Sequence, residues 1–354
     1  MKFILTFFYI FLITANLFGQ QTMDPYGFVN KYDPQFNGIG PKVYILPLPR
    51  SLEEEMKDTY TEIAAFKDTI NRGLMFSALL KGFHLTSNHQ LIEAEAALAA
   101  PAKLIEERKT LHDHGALYAL YNLLANKALA DKELDSAARL LDSADRYSWL
   151  SNHTSDRLLI RSNKAAVLLM QDALEQASAL ENELIAYYSS QNDNNRKAEH
   201  LTREALISAH KQAYTLAENT IIRQVFPIYN KTKDKKGKIQ AWITLANIYH
   251  LQNKHTEAQW FLLQAKTEAT TLKSAELLAV INYLLGYSKS MQKNYAVAEK
   301  ELSVALQLTE ELQDNYLKIA IVEELGRTKV ALGQYEEAKS LYTEYKKLRT
   351  ALFR

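Results

Sequence analysis

Small side chains recur along this chain in pairs whose members are always twelve residues apart. Seven such pairs align, and successive pairs begin 40 to 43 residues apart. They are Gly82 with Ala94, Ala125 with Ala137, Ala165 with Ala177, Ala205 with Ala217, Ala246 with Ala258, Gly286 with Ala298 and Gly326 with Ala338. Two helices approach to about 8 Å only where the residues at their crossing are small. The pairs therefore predict an all-α stack of helix pairs, in which each pair must pack on its neighbours to cover its apolar faces.

The predicted stack occupies residues 51–354 and contains seven repeats. Their expected ranges are 74–110, 115–150, 154–190, 195–230, 236–272, 275–313 and 315–353. Only Pro101 and Pro227 follow Arg50, so the helices can run almost without interruption. A first helix is expected to begin at Ser51, because Glu54 three residues later completes a capping box.

The first residues indicate export. Met1-Lys2 supplies a short positive start, and an apolar run from residue 3 to residue 17 follows it. We interpret residues 1–19 as a signal peptide that is cleaved after Gly19. The alternative, a permanent membrane anchor, would need about 20 apolar residues. The mature chain is then expected outside the cytoplasm, in the periplasm of a bacterium with two membranes, without a membrane span.

Residues 20–50 are predicted to form an extended leader that is rich in proline. Five of the seven prolines of the chain lie there, and the apolar residues follow neither a helical nor a strand period. The leader carries few charges, which favours packing of its apolar side chains along the stack over full disorder.

One repeat resembles the tetratricopeptide repeat. Its residues Trp242, Leu245, Ala246 and Tyr249 precede Ala258, Leu262 and Ala265. In that family, Trp, Leu, a small residue and Tyr on a first helix are followed by Ala, a bulky apolar residue and Ala on a second. Leu262 stands where the family usually has Phe. The resemblance implies a right-handed superhelical solenoid of helix-turn-helix repeats whose first helices line a concave groove, and repeats of this length are similar to those of bacterial regulators.

Charge and residue types exclude several kinds of chemistry. The 42 basic and 41 acidic residues nearly cancel, so a nucleic-acid partner is not expected. The absence of Cys excludes disulfides, cysteine zinc sites and a thiol nucleophile. His112-Asp113-His114 lacks further ligands at a fitting spacing, and we interpret the charged run 231–238 as a solvated link. We expect no metal, no cofactor and no enzymatic activity.

The resemblance also places particular side chains on the concave groove, where a protein or peptide ligand would bind. They are Asn122, Asn126, Asn247, His250, Tyr283, Tyr287, Glu323 and Arg327. Amide side chains can bond to a peptide backbone, and Tyr offers contact area with a polar tip. Each could instead be an ordinary half-buried solenoid residue.

These observations favour a non-catalytic adaptor or scaffold that binds a protein or peptide outside the cytoplasm. The alternative is the sensor half of a bacterial signal-transduction system, with its output domain on a membrane-bound partner or missing from this chain. A lytic or hydrolytic enzyme is the third hypothesis, but it would need converging acidic or His residues that the sequence does not show.

Overall fold

The computed structural model of the protein describes residues 81–82, 85, 90–107, 115–130, 133–149 and 154–352. The predicted signal peptide, the leader, the capping box at Ser51 and the His112-Asp113-His114 segment lie outside these residues. The described residues form helices and turns without a strand, which confirms the predicted all-α repeat fold. Among them, no helix combines the length and the apolar character that a membrane span requires.

Consecutive helices form pairs joined by short turns. The helices are α1 (Leu91–Glu107), α2 (Gly115–Ala130), α3 (Leu134–Ser148), α4 (Thr154–Met170), α5 (Leu174–Ser190), α6 (Asn194–His210), α7 (Tyr214–Thr220), α8 (Phe226–Thr232), α9 (Lys235–Leu251), α10 (His255–Thr271), α11 (Ala275–Met291), α12 (Tyr295–Leu312), α13 (Asn315–Ala331) and α14 (Tyr335–Leu352). We number the pairs from unit two, α2 with α3, to unit seven, α13 with α14; α1 belongs to unit one. In unit four, α6 pairs with α7, α8 and the π-helical turn between them.

The small side chains lie buried where the two helices of a unit cross. Ala246 and Ala258 are inaccessible to solvent in unit five. In unit six, a Cβ atom added to Gly286 would lie 2.6 Å from Leu302 Cγ and 3.3 Å from the carbonyl oxygen of Ala298. A larger side chain at these positions would push the helices apart, so the small residues determine the register of each pair.

The buried core consists of clusters that extend across the boundaries between units. One apolar cluster extends from Ala94 in α1 to Met170 in α4. Another extends from Ile239 in α9 to Leu325 in α13. Each unit therefore buries much of its apolar surface against its neighbours, as expected of a repeat solenoid.

The turns repeat with half the period of the units. Residues with a left-handed backbone stand at 172, 192, 212, 233, 253, 273, 293, 313 and 333, which are 20 residues apart with one step of 21. At Lys293 the backbone N–H bonds to the carbonyl of Ser290 (2.8 Å), and the N–H of Asn294 bonds to that of Lys289 (2.9 Å). This pair of bonds is a Schellman motif, which ends one helix just before the next begins.

A π-helical turn accounts for the single step of 21 residues. It spans Ile221–Val225, and only Phe226 separates it from Pro227. Pro227 has no N–H to donate to the carbonyl of Arg223, and its ring would crowd that carbonyl in a regular α-helix. The wider π turn absorbs the extra residue inside the helix. The register of units five to seven is thereby kept.

Lys293→Gly should raise the free energy of unfolding by about 1 kcal/mol, because glycine adopts the left-handed conformation without a steric penalty. Lys293 is exposed and has a φ of 62°. Urea unfolding measures the change. Lys300→Gly, at an exposed position inside α12, is the matched control and should lower the free energy of unfolding by a similar amount. Two losses of equal size would contradict the assigned turn geometry.

Candidate functional site

One residue of each first helix directly follows the small residue at the helix crossing. We call these six residues the inner row: Asn126, Ala166, Leu206, Asn247, Tyr287 and Arg327. They share one register on α2, α4, α6, α9, α11 and α13. The tetratricopeptide resemblance assigns four of them to the groove, namely Asn126, Asn247, Tyr287 and Arg327, whereas Ala166 is fully buried. Asn126, Asn247 and Tyr287 are partly buried, whereas Arg327 is exposed. The inner row includes four of the eight side chains predicted to contact a ligand.

Two asparagines of the inner row carry buried polar atoms without a hydrogen-bond partner among the described residues. In Asn126 the atom is the donor Nδ2, and in Asn247 it is the acceptor Oδ1. Buried polar atoms are normally paired, so each requires an explanation. Both atoms are themselves inaccessible to solvent, so a peptide backbone can bond to them only after the side chains turn toward the groove.

Asn122 and Tyr283 are predicted groove residues that the structure places in the core. Their exposed fractions are 2% and 3%. Asn122 Oδ1 accepts a hydrogen bond from Asn163 Nδ2 (3.0 Å), which joins α2 to α4. Each lies one helical turn before a residue of the inner row, where a neighbouring unit covers the side chain. These two residues therefore stabilise the solenoid and offer no accessible surface to a ligand.

His250 is also buried, between units five and six, which corrects its predicted place on the open groove. Its Nε2 lies 2.6 Å from Ser288 Oγ. Ser288 Oγ donates to the carbonyl of Leu284 (2.9 Å), so its oxygen is left to accept the Nε2–H of a neutral His250 ring. The ring centroid lies 5.4 Å from that of Tyr287 and 5.7 Å from that of His255. Burial lowers the pKa of His250 to about 3, and the neighbouring His255 contributes.

We expect unfolding to become easier in acid because of His250. Its pKa is about 3 in the folded protein and about 6.5 in the unfolded chain, so only the unfolded chain takes up a proton between these values. The free energy of unfolding should be lower by about 2 kcal/mol at about pH 5 than at about pH 8 from this group alone. Burial also lowers the pKa of His255 and of His210, in the same direction.

Urea unfolding of the wild-type protein and of His250→Gln at the two pH values tests this expectation. Between the two pH values, the free energy of unfolding of the variant should fall by about 2 kcal/mol less than that of the wild type. The remaining fall comes from His255 and His210. An unchanged pH dependence in the variant would contradict the assignment.

Arg327 and Glu323 lie together on α13 at the end of the inner row. The guanidinium of Arg327 pairs with the carboxylate of Glu323 and lies 3.6 Å from that of Glu324. Ser290 Oγ of α11 donates to Glu324 (2.6 Å), and burial raises the pKa of that carboxyl group. The guanidinium side chain is 59% exposed, so a ligand in the groove can reach it.

A buried charged network that sequence reasoning missed links α5 to α6. Glu181 Oε2 lies 2.7 Å from His200 Nδ1, and Glu181 Oε1 lies 3.2 Å from Arg203 Nε. Glu181 belongs to the buried stripe of α5, in which the other members are Ala177, Leu184 and Tyr188. A carboxylate at a core position of a helical period was the signal that could have revealed the network.

Comparison with known proteins finds solved structures with a fold similar to that of this chain. No protein-family model matches the chain, and no curated protein matches it. A solved tetratricopeptide repeat protein from Parabacteroides merdae is similar at 15% identity, over 78% of this chain and 93% of that chain, with a TM-score of 0.51. This chain has the tetratricopeptide-repeat fold.

Two other tetratricopeptide-like structures are similar to this solenoid. A Rap protein complexed with competence and sporulation factor matches at 18% identity over 78% of this chain and 76% of that chain, with a TM-score of 0.53. NprR in complex with its cognate peptide NprX matches at 17% identity over 75% of this chain and 79% of that chain, with a TM-score of 0.50. At sequence identities this low, the similarity shows a shared fold and nothing further.

Proposed function

We propose that this tetratricopeptide-repeat solenoid is a non-catalytic adaptor that binds an extended peptide or protein segment along its inner row. The observation that carries the proposal is that the four polar members of the inner row share one register and keep accessible surface; they are Asn126, Asn247, Tyr287 and Arg327. An extended backbone supplies the complementary groups at regular intervals. NprR, which has a similar fold, was solved with its cognate peptide, and this supports the same class of ligand.

Tyr287 and Arg327 complete the ligand surface in this proposal. The Tyr287 ring offers contact area with a hydroxyl tip, and the exposed guanidinium of Arg327 can bond to carbonyl or carboxylate oxygens. Asn247, Tyr287 and Arg327 stand on consecutive first helices. A bound segment would therefore meet an amide, a phenol and a guanidinium in that order.

The double variant Asn126→Ala with Asn247→Ala tests the proposal. Peptides selected on the wild-type protein from a random library are the probe, and fluorescence anisotropy measures their Kd. Each lost hydrogen bond contributes about 0.5 to 1.5 kcal/mol, so the double variant should bind about tenfold more weakly or worse. Asn230→Ala with Asn315→Ala, two exposed asparagines off the inner row, is the matched control and should bind like the wild type.

Two outcomes would refute the proposal that the groove binds a peptide. One is a selection that enriches no peptide, and the other is an equal loss of affinity in the control variant. Thermal melts of all three proteins separate loss of binding from loss of folding.

We infer further that the adaptor acts outside the cytoplasm, in the periplasm of a two-membrane bacterium. The positive start and apolar run of residues 1–19 support this inference. Fusion of these residues to an alkaline phosphatase that is active only after export provides the test. Activity equal to that of a leaderless fusion would refute it.

A further inference from the structure

Five lysines surround the turn between units four and five. They are Lys231, Lys233, Lys235, Lys236 and Lys238, and we call them the lysine turn. The first four are exposed, and Lys238 Nζ lies 4.9 Å from the ring centroid of Trp242. Lys231 is in the last turn of α8, Lys233 has the left-handed conformation, and the others begin α9. The chain as a whole has a formal charge of only +1, so this is a local concentration of positive charge.

Nearby carboxylates leave the charge of Lys231 and Lys233 without a partner among the described residues. Asp234 is the N-cap of α9, and its carboxylate accepts a hydrogen bond from the backbone N–H of Gly237 (2.9 Å). Glu268 lies 3.7 Å from Lys235 Nζ, at the outer limit of an ion pair. Lys231 and Lys233 form no ion pair with the residues that the structure describes. The lysine turn therefore presents an excess of cations to solvent.

Local folding energetics do not explain the lysines. Lys235 and Lys236 stand in the first turn of α9, at the positive end of the helix dipole, where cations are unfavourable. Lys233 adopts the left-handed conformation, which favours glycine. The equivalent turns at Asn192 and Gln313 have the same left-handed backbone without a lysine cluster. The solenoid thus does not need these cations in order to form the turn.

The neighbouring turn of the same edge carries one further exposed cation, Lys273. The turns at positions 233 and 273 both join the second helix of one unit to the first helix of the next. Lys273, in the left-handed position of the second turn, is exposed. A ligand that follows this edge would meet cations from two consecutive turns.

We propose that the lysine turn is a docking site for an acidic segment, rich in Asp and Glu, of a partner protein. Carboxylates would neutralise the clustered ammonium groups and the positive end of α9 together. A protein segment fits better than nucleic acid, because Trp242, the aromatic ring beside the lysines, already packs against Lys238 and Phe226 instead of standing free to stack on a base. The site lies on the turn edge, apart from the inner row, so it does not depend on the proposed groove.

Binding of fluorescein-labelled octaglutamate, measured by fluorescence anisotropy, tests the proposal. The variant replaces Lys231, Lys233, Lys235 and Lys236 with Gln. Each exposed ion pair contributes modestly, so their joint loss should weaken binding about tenfold or more, and added salt should weaken binding to the wild type. The matched control replaces Lys300, Lys339, Lys346 and Lys347 with Gln; these lysines are exposed elsewhere, and the change in net charge is the same.

A selective loss in the lysine-turn variant, with an unchanged thermal melt, supports the site. Three results would overturn it: no binding of octaglutamate at physiological salt, equal losses in the two variants, or tighter binding of an oligodeoxynucleotide or of anionic vesicles than of octaglutamate. A lysine-turn variant that melts early is replaced by the single substitutions Lys231→Gln and Lys233→Gln. These must then each weaken binding relative to Lys300→Gln, and failure to do so also overturns the site.

Discussion

Arg203→Met should lower the free energy of unfolding by about 3 to 5 kcal/mol, because it removes the guanidinium partner of the buried carboxylate of Glu181. Glu181 is inaccessible to solvent and Arg203 is only 6% exposed. The guanidinium also donates to Ser162, to its carbonyl and to its Oγ, both at 2.7 Å. One substitution thus removes partners from α4 and from α5.

Denaturant unfolding of Arg203→Met, compared with that of the control variant Arg196→Met, measures this effect. Arg196 lies on the same helix, α6, but its side chain is 39% exposed and 3.8 Å from Glu199. The control should change the free energy of unfolding by about 1 kcal/mol or less. Adding Glu181→Gln to Arg203→Met should recover part of the loss, since the buried charge is gone. Similar losses for the two arginines would show that the network does not stabilise the fold.

Ala258→Leu should lower the free energy of unfolding by about 1 to 3 kcal/mol through overpacking. Ala258 lies on α10 and is inaccessible to solvent, in the register where α9 and α10 cross. Gln264→Leu, at an exposed position of the same helix, adds apolar volume without crowding and is the control. Thermal melts should show a large shift for the first variant and little for the second. An unchanged melt for Ala258→Leu would refute the register.

The sequence predicted the helix pairs because contact between two helices depends on side-chain size at a few positions. It did not reveal the period of 20 residues, since most left-handed turn positions carry Asp, Asn, Gln or Lys instead of the glycine that usually marks them. The extra residue between Ala205 and Ala246 is visible as a spacing of 41 rather than 40. Its location as a π turn before Pro227 depends on hydrogen bonding that spacing alone does not specify.

The candidate site was predicted less completely than the fold. Register and resemblance suffice to select a helix face, and Asn126, Asn247, Tyr287 and Arg327 remain predicted ligand contacts on that face. Burial of Asn122, Tyr283 and His250 depends on how closely the next unit packs, which no single repeat encodes. Glu181 illustrates the same limit, because its partners His200 and Arg203 lie on another helix.

Stacking of consecutive units is the claim on which the groove and the lysine turn both depend, and crosslinking tests it directly. The chain contains no Cys, so introduced cysteines react without background. Lys266 Nζ of unit five lies 2.8 Å from Glu301 Oε2 of unit six. The double variant Lys266→Cys with Glu301→Cys should therefore crosslink within one molecule through a short bismaleimide. The control, Asn182→Cys with Glu301→Cys, places the cysteines in units three and six and should not crosslink. Efficient crosslinking of the second pair, or none of the first, would contradict the stacked solenoid.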